Sequence, residues 1–441
     1  MTFEELTHVL SEPGPRLISW LAQILLEYCR DHTEGLRADL GDIERSDLFA
    51  GHRRLMQALF DDLGEEQLED EDLAKLVGAL SACAEGTTPH LAVRAAVEGL
   101  DHALGALIVA SFRQKCVALR DLALVPFARV PLKATLGAVH LSTRPETVEL
   151  PIDRTNSFAL PPRDLAGVDV TMDWSLDDLL APLKHAPGLS IGDPGTPLAE
   201  MDLERYSVGD RAVFYRVQPR AKEEQRSRVL RLVEAAASRS CRVLVFPELS
   251  IDDDTLAAIR ARAERPLVVV AGSRHTPIEA RGPGDNVAVF FVGNAERSHT
   301  KFRPFELNEN DGAGNRVRRI EHLSPRNTGF SVYLSQQWSF AVFVCKDFLS
   351  PEVQRLLVAL RVSLILVPTL SMETEDFRLG IEHVALHGQS LVVVANEPAA
   401  GSFFGHPIRH RLAEHVRGTP GQASLHVLEK DGVSKKYLTD T

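Results

Sequence analysis

The chain has 441 residues, room for two or three domains at roughly 150 residues each, and 44% of them are hydrophobic, 25% charged and 6% aromatic. That composition excludes a disordered, collagen-like or coiled-coil chain. The 49 Lys plus Arg against 61 Asp plus Glu give a net charge of −12, so nothing indicates a chain-wide footprint for nucleic acid or an anionic membrane surface.

Five scattered cysteines, Cys29, Cys83, Cys116, Cys241 and Cys345, contain no CxxC pair. They indicate neither a disulfide framework nor a thiolate zinc site, and they fit a reducing compartment. The acidic start Met1-Thr2-Phe3-Glu4-Glu5 is unlike a signal peptide, and no stretch approaches about 18 uninterrupted apolar residues. The reading is a cytoplasmic protein without a membrane partner.

From about Pro15 to Leu124 apolar residues recur at helical spacing, as in Leu17-Ile18-Trp20-Leu21-Ile24-Leu25 and in Leu91 through Ile108. About four helices are expected, with caps at Ser46-Asp47 and Thr88-Pro89 and stops at Gly64 and Gly86. Residues 1–125 are therefore assigned to an all-helical domain of unknown role. Between Thr155 and Glu204 ten of fifty residues are Pro or Gly, which marks 126–205 as a connector, with short strands expected at Ala134–Leu141 and Thr147–Pro151.

After Tyr206 short apolar runs alternate with helical segments, the pattern of an α/β domain with buried strands over 206–441. Strands are predicted at Ala212–Val217, Val243–Phe246, Leu267–Ala271, Val287–Val292, Ser339–Val344, Leu364–Val367 and Leu391–Ala395. Helices are predicted at Glu223–Ser238, Asp253–Arg262, Pro351–Leu360 and Asp376–Gly388.

Two reactive side chains fall where strands end: Glu248 after Val243-Leu244-Val245-Phe246-Pro247, and Cys345 after Phe340-Ala341-Val342-Phe343-Val344. Carboxyl ends of strands are where ligand sites gather in open α/β sheets. Lys301, in His299-Thr300-Lys301-Phe302-Arg303-Pro304, follows a third strand. The order Glu248, Lys301, Cys345 resembles the nitrilase or carbon–nitrogen hydrolase superfamily. So do Gln218 closing a first strand, Asn286-Val287-Ala288, Leu364–Thr369, Val392–Asn396 and Phe404-Gly405-His406-Pro407, over about Tyr206 to Leu428.

The resemblance implies an α-β-β-α sandwich preceded by the helical domain, and hydrolysis of a non-peptide carbon–nitrogen bond, amide rather than nitrile, through a Glu-Lys-Cys triad and a thioester. A thiol with a free pKa near 8.5 needs a base, the role of Glu248, and the developing oxyanion needs a fixed cation, the role of Lys301. The Lys346 N–H is a second oxyanion donor. The second glutamate of many family members has two candidates, Glu306 and Glu309, with Glu309 favoured on spacing.

No cofactor or metal is required, and the expected partners are a small amide or nitrile substrate and a second copy of the chain in a homodimer or larger assembly. Lys346 stands where the family commonly has an aromatic, which implies either an unusual pocket wall or a positive charge for an anionic substrate. Asn308–Thr328, with Gly312-Ala313-Gly314, Arg316, Arg318 and Arg319, reads as an expanded loop or lid. The alternatives are an inactive scaffold of the same fold, or a signalling or defence effector whose helical domain binds a partner.

Other signals have plainer readings. Gly188-Leu189-Ser190-Ile191-Gly192 matches the GxSxG elbow but lies in the connector without the strand-to-helix context. His383 and His387, and the group His406, His410 and His415, lack the spacing of a metal site. The Asp252-Asp253-Asp254 run is read as a helix cap.

Overall fold

A computed structural model describes residues 1–14, 16–40, 43–61, 67–111, 116–126, 157–183, 188–262, 265–277, 283–310, 314, 316–324, 328–335, 338–407, 413–428 and 434–438. The expected strands at Ala134–Leu141 and Thr147–Pro151, the stop at Gly64, and Gly312, Ala313 and His410 lie outside these residues. The chain divides into two compact units, Met1–Arg129 with Thr143–Arg163, and Val130–Ser142 with Asp164–Thr441.

The first unit holds six helices among its described residues: Phe3–Ser11, Ile18–Asp31, Thr33–Leu40, Ile43–Asp61, Asp70–Gly86 and Pro89–Ala110. Thr88 caps the last of these through the Leu91 N–H at 3.3 Å, with Pro89 in the first turn, where a missing N–H costs nothing. Most of this helix from Leu91 to Ile108 is buried, and it packs in one apolar cluster with the others. Gly99 makes that packing possible, since a Cβ there would lie 2.8 Å from the Gln57 backbone N. Ser46-Asp47 is not a cap but part of helix Ile43–Asp61; the helix starts earlier, at Ile43.

The second unit is mixed α/β. One sheet has seven strands in the order 295–300, 284–292, 268–277, 243–245, 189–193, 424–428, 434–438. The other contains, in order, 413–416, 402–405, 391–395, 364–368, 339–342, 329–334 and 169–173. The sheets face one another, strands 189–193 and 243–245 across from 391–395 and 364–368, and Phe290 of one packs edge-on against Tyr333 and Phe340 of the other at 5.2 and 5.8 Å. Helices Lys222–Ser238 and Asp253–Arg260 cover the outer face of the first sheet, and helix Glu375–Gly388 packs on strands 391–395 and 402–405 of the second. The central runs Val243–Val245, Leu364–Pro368 and Leu391–Ala395 are apolar throughout because both of their faces are buried.

Three expectations change here. The segment Asp164–Glu204 is no connector: strands Asp169–Asp173 and Leu189–Asp193 sit inside the two sheets, and its prolines and glycines punctuate short elements. The strand at Ala212–Val217 lies outside both main sheets. It belongs to Arg211–Pro219, paired antiparallel with Met201–Val208 around the two-residue turn Gly209-Asp210, and Gln218 pairs with Asp202 inside that hairpin. The central position falls instead to Leu189–Asp193, parallel to Val243–Val245. The supposed loop 308–328 is largely a second hairpin, Glu306–Asn310 with Arg316–Glu321. Its second strand pairs parallel with Arg211–Pro219, so the two hairpins make one four-stranded cap sheet. Met201, Phe214 and Val217 form its apolar inner face with Leu249 and Leu370.

Candidate active site

Glu248 is presented by a turn that the sequence forces. Pro247 has no N–H to continue the ladder, and Leu249 turns back with φ +57°. The turn is locked by Ser250 Oγ, which donates to the Pro247 carbonyl at 2.6 Å. On the neighbouring strand a bulge at Gly272, φ +74°, lets the backbone approach. A Cβ there would stand 2.3 Å from the Pro247 oxygen, so glycine is required.

Lys301 leaves strand Ala295–Thr300 with its N–H on the Asn286 carbonyl at 2.9 Å. Asp347, fully buried two residues after Cys345, accepts from the Arg303 N–H at 2.7 Å, the Phe302 N–H at 3.1 Å and His299 Nε2 at 2.9 Å. This carboxylate ties the lysine loop to the cysteine turn. Cys345 itself has φ +49° and ψ −110°, a conformation that a side chain makes costly and that clusters at functional sites.

The structure brings Glu248, Lys301 and Cys345 together, each 3% exposed or less. Lys301 Nζ lies 2.7 Å from Glu248 Oε1 and 2.7 Å from an oxygen of a second carboxylate, Glu321 Oε2. Asn286 Nδ2 bridges the same two acids, 2.8 Å from Oε1 of each. Glu321 also takes the Phe305 N–H at 2.9 Å and His275 Nε2 at 2.9 Å. The Cys345 thiol and the Glu248 carboxylate are close enough for each to shift the other's acidity, and the Leu370 N–H donates to the other Glu248 oxygen at 3.1 Å.

The second acid against the lysine is thus Glu321, and neither Glu306 nor Glu309 occupies that place. Glu306 pairs with Arg318 at 2.6 Å at the surface, and Glu309 is held by Arg205 at 3.2 Å and by Arg319. Both sit on the outgoing strand of the hairpin, whose return strand carries residue 321 back to the lysine. Lys346 is the first residue of the short helix Lys346–Leu349, and its N–H donates no hydrogen bond among the described residues. Its Nζ lies 5.8 Å from the centre of the Phe305 ring, near Glu306.

The three central groups are pushed apart in acidity. Burial, reinforced by the Glu321 charge, raises Glu248 above the usual carboxylate range despite Lys301. Burial acts the same way on Glu321, but Lys301 and the bond from His275 override it and hold this carboxyl well below its ordinary value. Burial opposes the Lys301 ammonium, and the two carboxylates win, raising it. Burial and then Glu248 push the Cys345 thiol up to about 12, against Lys301 and the nearby Thr369 hydroxyl. Two carboxylates with opposite displacements are suited to different tasks, one to carrying a proton and one to holding a fixed charge.

Beside these groups is a cavity of about 20 Å³, space for about one water. Apart from Glu248, Lys301 and Glu321 its walls are apolar, with Leu203, Phe214 and Val217 from one cap hairpin, Leu307 from the other, Phe305 just before it and Leu370 from the core.

The remaining signals resolve as structure. Ser190 is buried inside a central strand and donates to the Val243 carbonyl at 2.7 Å. Asp252 caps helix Asp253–Arg260 through the Thr255 N–H at 2.8 Å. His383 and His387 face each other at 4.9 Å on an exposed helix face, His406 is buried, and His415 stacks on Phe403. Among the described residues no three His, Cys, Asp or Glu side chains converge as metal ligands, and no helix is long and apolar enough to cross a membrane.

No family model matches the chain, and no curated protein is similar to it. Among solved structures, the chain is similar to a variant of an amidase of the nitrilase superfamily from Nesterenkonia AN1. The two share 16% identity over 55% of this chain and 90% of that one, with a TM-score of 0.39. It is also similar to the glutamine-dependent NAD+ synthetase of Acinetobacter baumannii, at 12% identity over 58% of this chain and 48% of that one, with a TM-score of 0.40.

Proposed function

We propose that the protein is a cysteine-dependent hydrolase of a non-peptide carbon–nitrogen bond, acting on a small amide with an apolar acyl group. The observation that carries this reading is the buried cluster in which one ammonium, Lys301, touches Glu248 and Glu321 while Cys345 stands close to Glu248. A thiol raised to about 12 is protonated at rest, so attack requires a base, and Glu248 is the carboxylate whose proton affinity has been raised toward that task.

In the reaction Glu248 takes the thiol proton as the sulfur attacks the carbonyl carbon. The oxygen that gains the electron pair is stabilised by Lys301 Nζ and the Lys346 N–H. Collapse breaks the carbon–nitrogen bond, and the amine leaves with the proton from Glu248, giving a thioester on Cys345. Glu248 then deprotonates a water, which attacks the thioester, and the acid leaves as the thiol recovers its proton. Glu321 stays ionised throughout and keeps Lys301 aimed.

The acyl group is assigned from the side chains beside Glu248 and Lys301: the space of about 20 Å³ must widen to admit it, and a charged or hydrogen-bonding chain would then lose its water against Leu203, Phe214 and Leu307 without compensation. The Lys346 ammonium, engaged over Phe305, is not a pocket wall. The test is incubation with aliphatic, aromatic and anionic primary amides, with ammonia release measured and the thioester mapped by peptide mass spectrometry. The expected result is an acyl adduct on Cys345 with apolar amides and none in Cys345→Ala. Absence of adduct and of turnover across the panel would sink the reading.

A further inference from the structure

His275 is a buried imidazole that the reaction sequence leaves unused. It lies on strand Val268–Pro277, opposite Asn286 in the antiparallel register, with its side chain 1% exposed. Its Nδ1 accepts the Val217 N–H at 3.1 Å, and its Nε2 lies 2.9 Å from Glu321 Oε1. A ring nitrogen that accepts a backbone N–H carries no proton, so in this arrangement the proton is on Nε2 and is donated to Glu321.

We propose that His275 is a positioning residue of this site, tying the cap strand at Val217 to Glu321 and fixing the orientation in which that carboxylate supports Lys301. The proposal rests on the hydrolase reading above, and three observations carry it. First, cross-strand neighbours His275 and Asn286 both donate to Oε1 of Glu321, which leaves Oε2 to Lys301 and the Phe305 N–H. Second, Val217 is itself a pocket wall, so one imidazole sets the cap strand and the counter-ion together. Third, the other basic side chains of the cap near this edge are taken: Arg318 by Glu306, Arg319 and Arg205 by Glu309.

The charged groups facing Glu321 are Lys301 and, across Asn286, Glu248, while Glu248 faces Lys301, Glu321 and the Cys345 thiol. Without His275, Oε1 of Glu321 keeps only the Asn286 donor, so the carboxylate can turn about its Lys301 contact, and Glu248 and the thiol feel less of its negative charge. Their protons then come off at lower pH.

The experiment compares full-length wild type with His275→Leu, which lacks both ring bonds, and His275→Gln, whose amide retains one donor and one acceptor. His275→Asn, too short to reach both partners, replaces the leucine variant if that one fails to fold. Two readouts are taken: kcat/KM for the best amide, and the pH profile of Cys345 alkylation by iodoacetamide, which needs no turnover. The expected result is a loss of about 10- to 100-fold in kcat/KM for His275→Leu, with Cys345 alkylated about threefold faster or more at pH 7. His275→Gln should stay close to wild type on both. Wild-type behaviour of His275→Leu, or equal damage in the glutamine and leucine variants, overturns the assignment. If wild type turns over no amide, the hydrolase reading fails separately, and the alkylation profiles alone decide the role of His275.

Discussion

Glu321→Gln is an isosteric change that the site is built to reject. Four donors surround the carboxylate: His275 Nε2 and Asn286 Nδ2 on one oxygen, Lys301 Nζ and the Phe305 N–H on the other. A carboxylate accepts all four, whereas an amide must turn its own N–H groups against one of the two pairs. Two buried donors then lose their acceptor, at about 1 to 3 kcal/mol each, so about 2 to 6 kcal/mol of stability is at stake. Lys301 keeps only Glu248 as a charged partner, and kcat/KM should fall about 100-fold or more.

Stability is best read by urea unfolding in a Trp20→Phe background, where the two remaining tryptophans, Trp174 and Trp338, both report on the second unit. Glu309→Gln is the control, because its partners Arg205 and Arg319 lie on the cap surface away from Lys301, and it should leave stability and activity close to wild type. A Glu321→Gln protein as stable and active as wild type, or Glu309→Gln damaged to the same degree, would refute the reasoning and return Glu309 to the site.

Ser190→Ala should keep full activity and lose about 1 kcal/mol for its buried bond to Val243; loss of turnover would instead make this serine a nucleophile. Asp193→Asn should flatten the dependence of stability on pH. Burial, helped by Glu397 and opposed by the Gly195 N–H and Lys436, raises the Asp193 carboxyl from 3.8 to about 7. The folded state therefore favours the protonated form, and the stability this contributes is full below pH 3.8 and lost as pH rises through about 7. That loss is on the order of 4 kcal/mol. Unfolding curves from pH 4 to 8 should show wild type losing ground to the asparagine variant; parallel curves would contradict the assignment.

Much of the second unit was legible because its strands are buried on both faces. Val243–Val245, Leu364–Pro368 and Leu391–Ala395 form close to where unbroken apolar runs end in turn residues, and Lys222–Ser238 and Glu375–Gly388 match their helical periodicity. Leu189–Asp193 was hidden by composition, since Gly188 and Gly192 at a central strand look like connector residues. Gly192 is a glycine because the Phe246 ring would meet a Cβ at 2.6 Å, a constraint that no local pattern reveals. Ala212–Val217 was legible as a strand but its sheet was not, although the Gly209-Asp210 turn before it is a hairpin signal.

Glu248, Lys301 and Cys345 could be singled out from the sequence because each lies within three residues of a strand end and the three follow one another in the order of the family the chain resembles. Glu321, Asn286 and His275 could not, because what selects them is proximity across sheets: Glu309 is nearer to Lys301 along the chain, yet the hairpin Glu306–Glu321 folds back and delivers the later acid. Local sequence determined which side chains were candidates. Strand pairing over distances of 20 to 53 residues, from Glu321 to Lys301 and from Lys301 to Glu248, decided which of them share one buried charge.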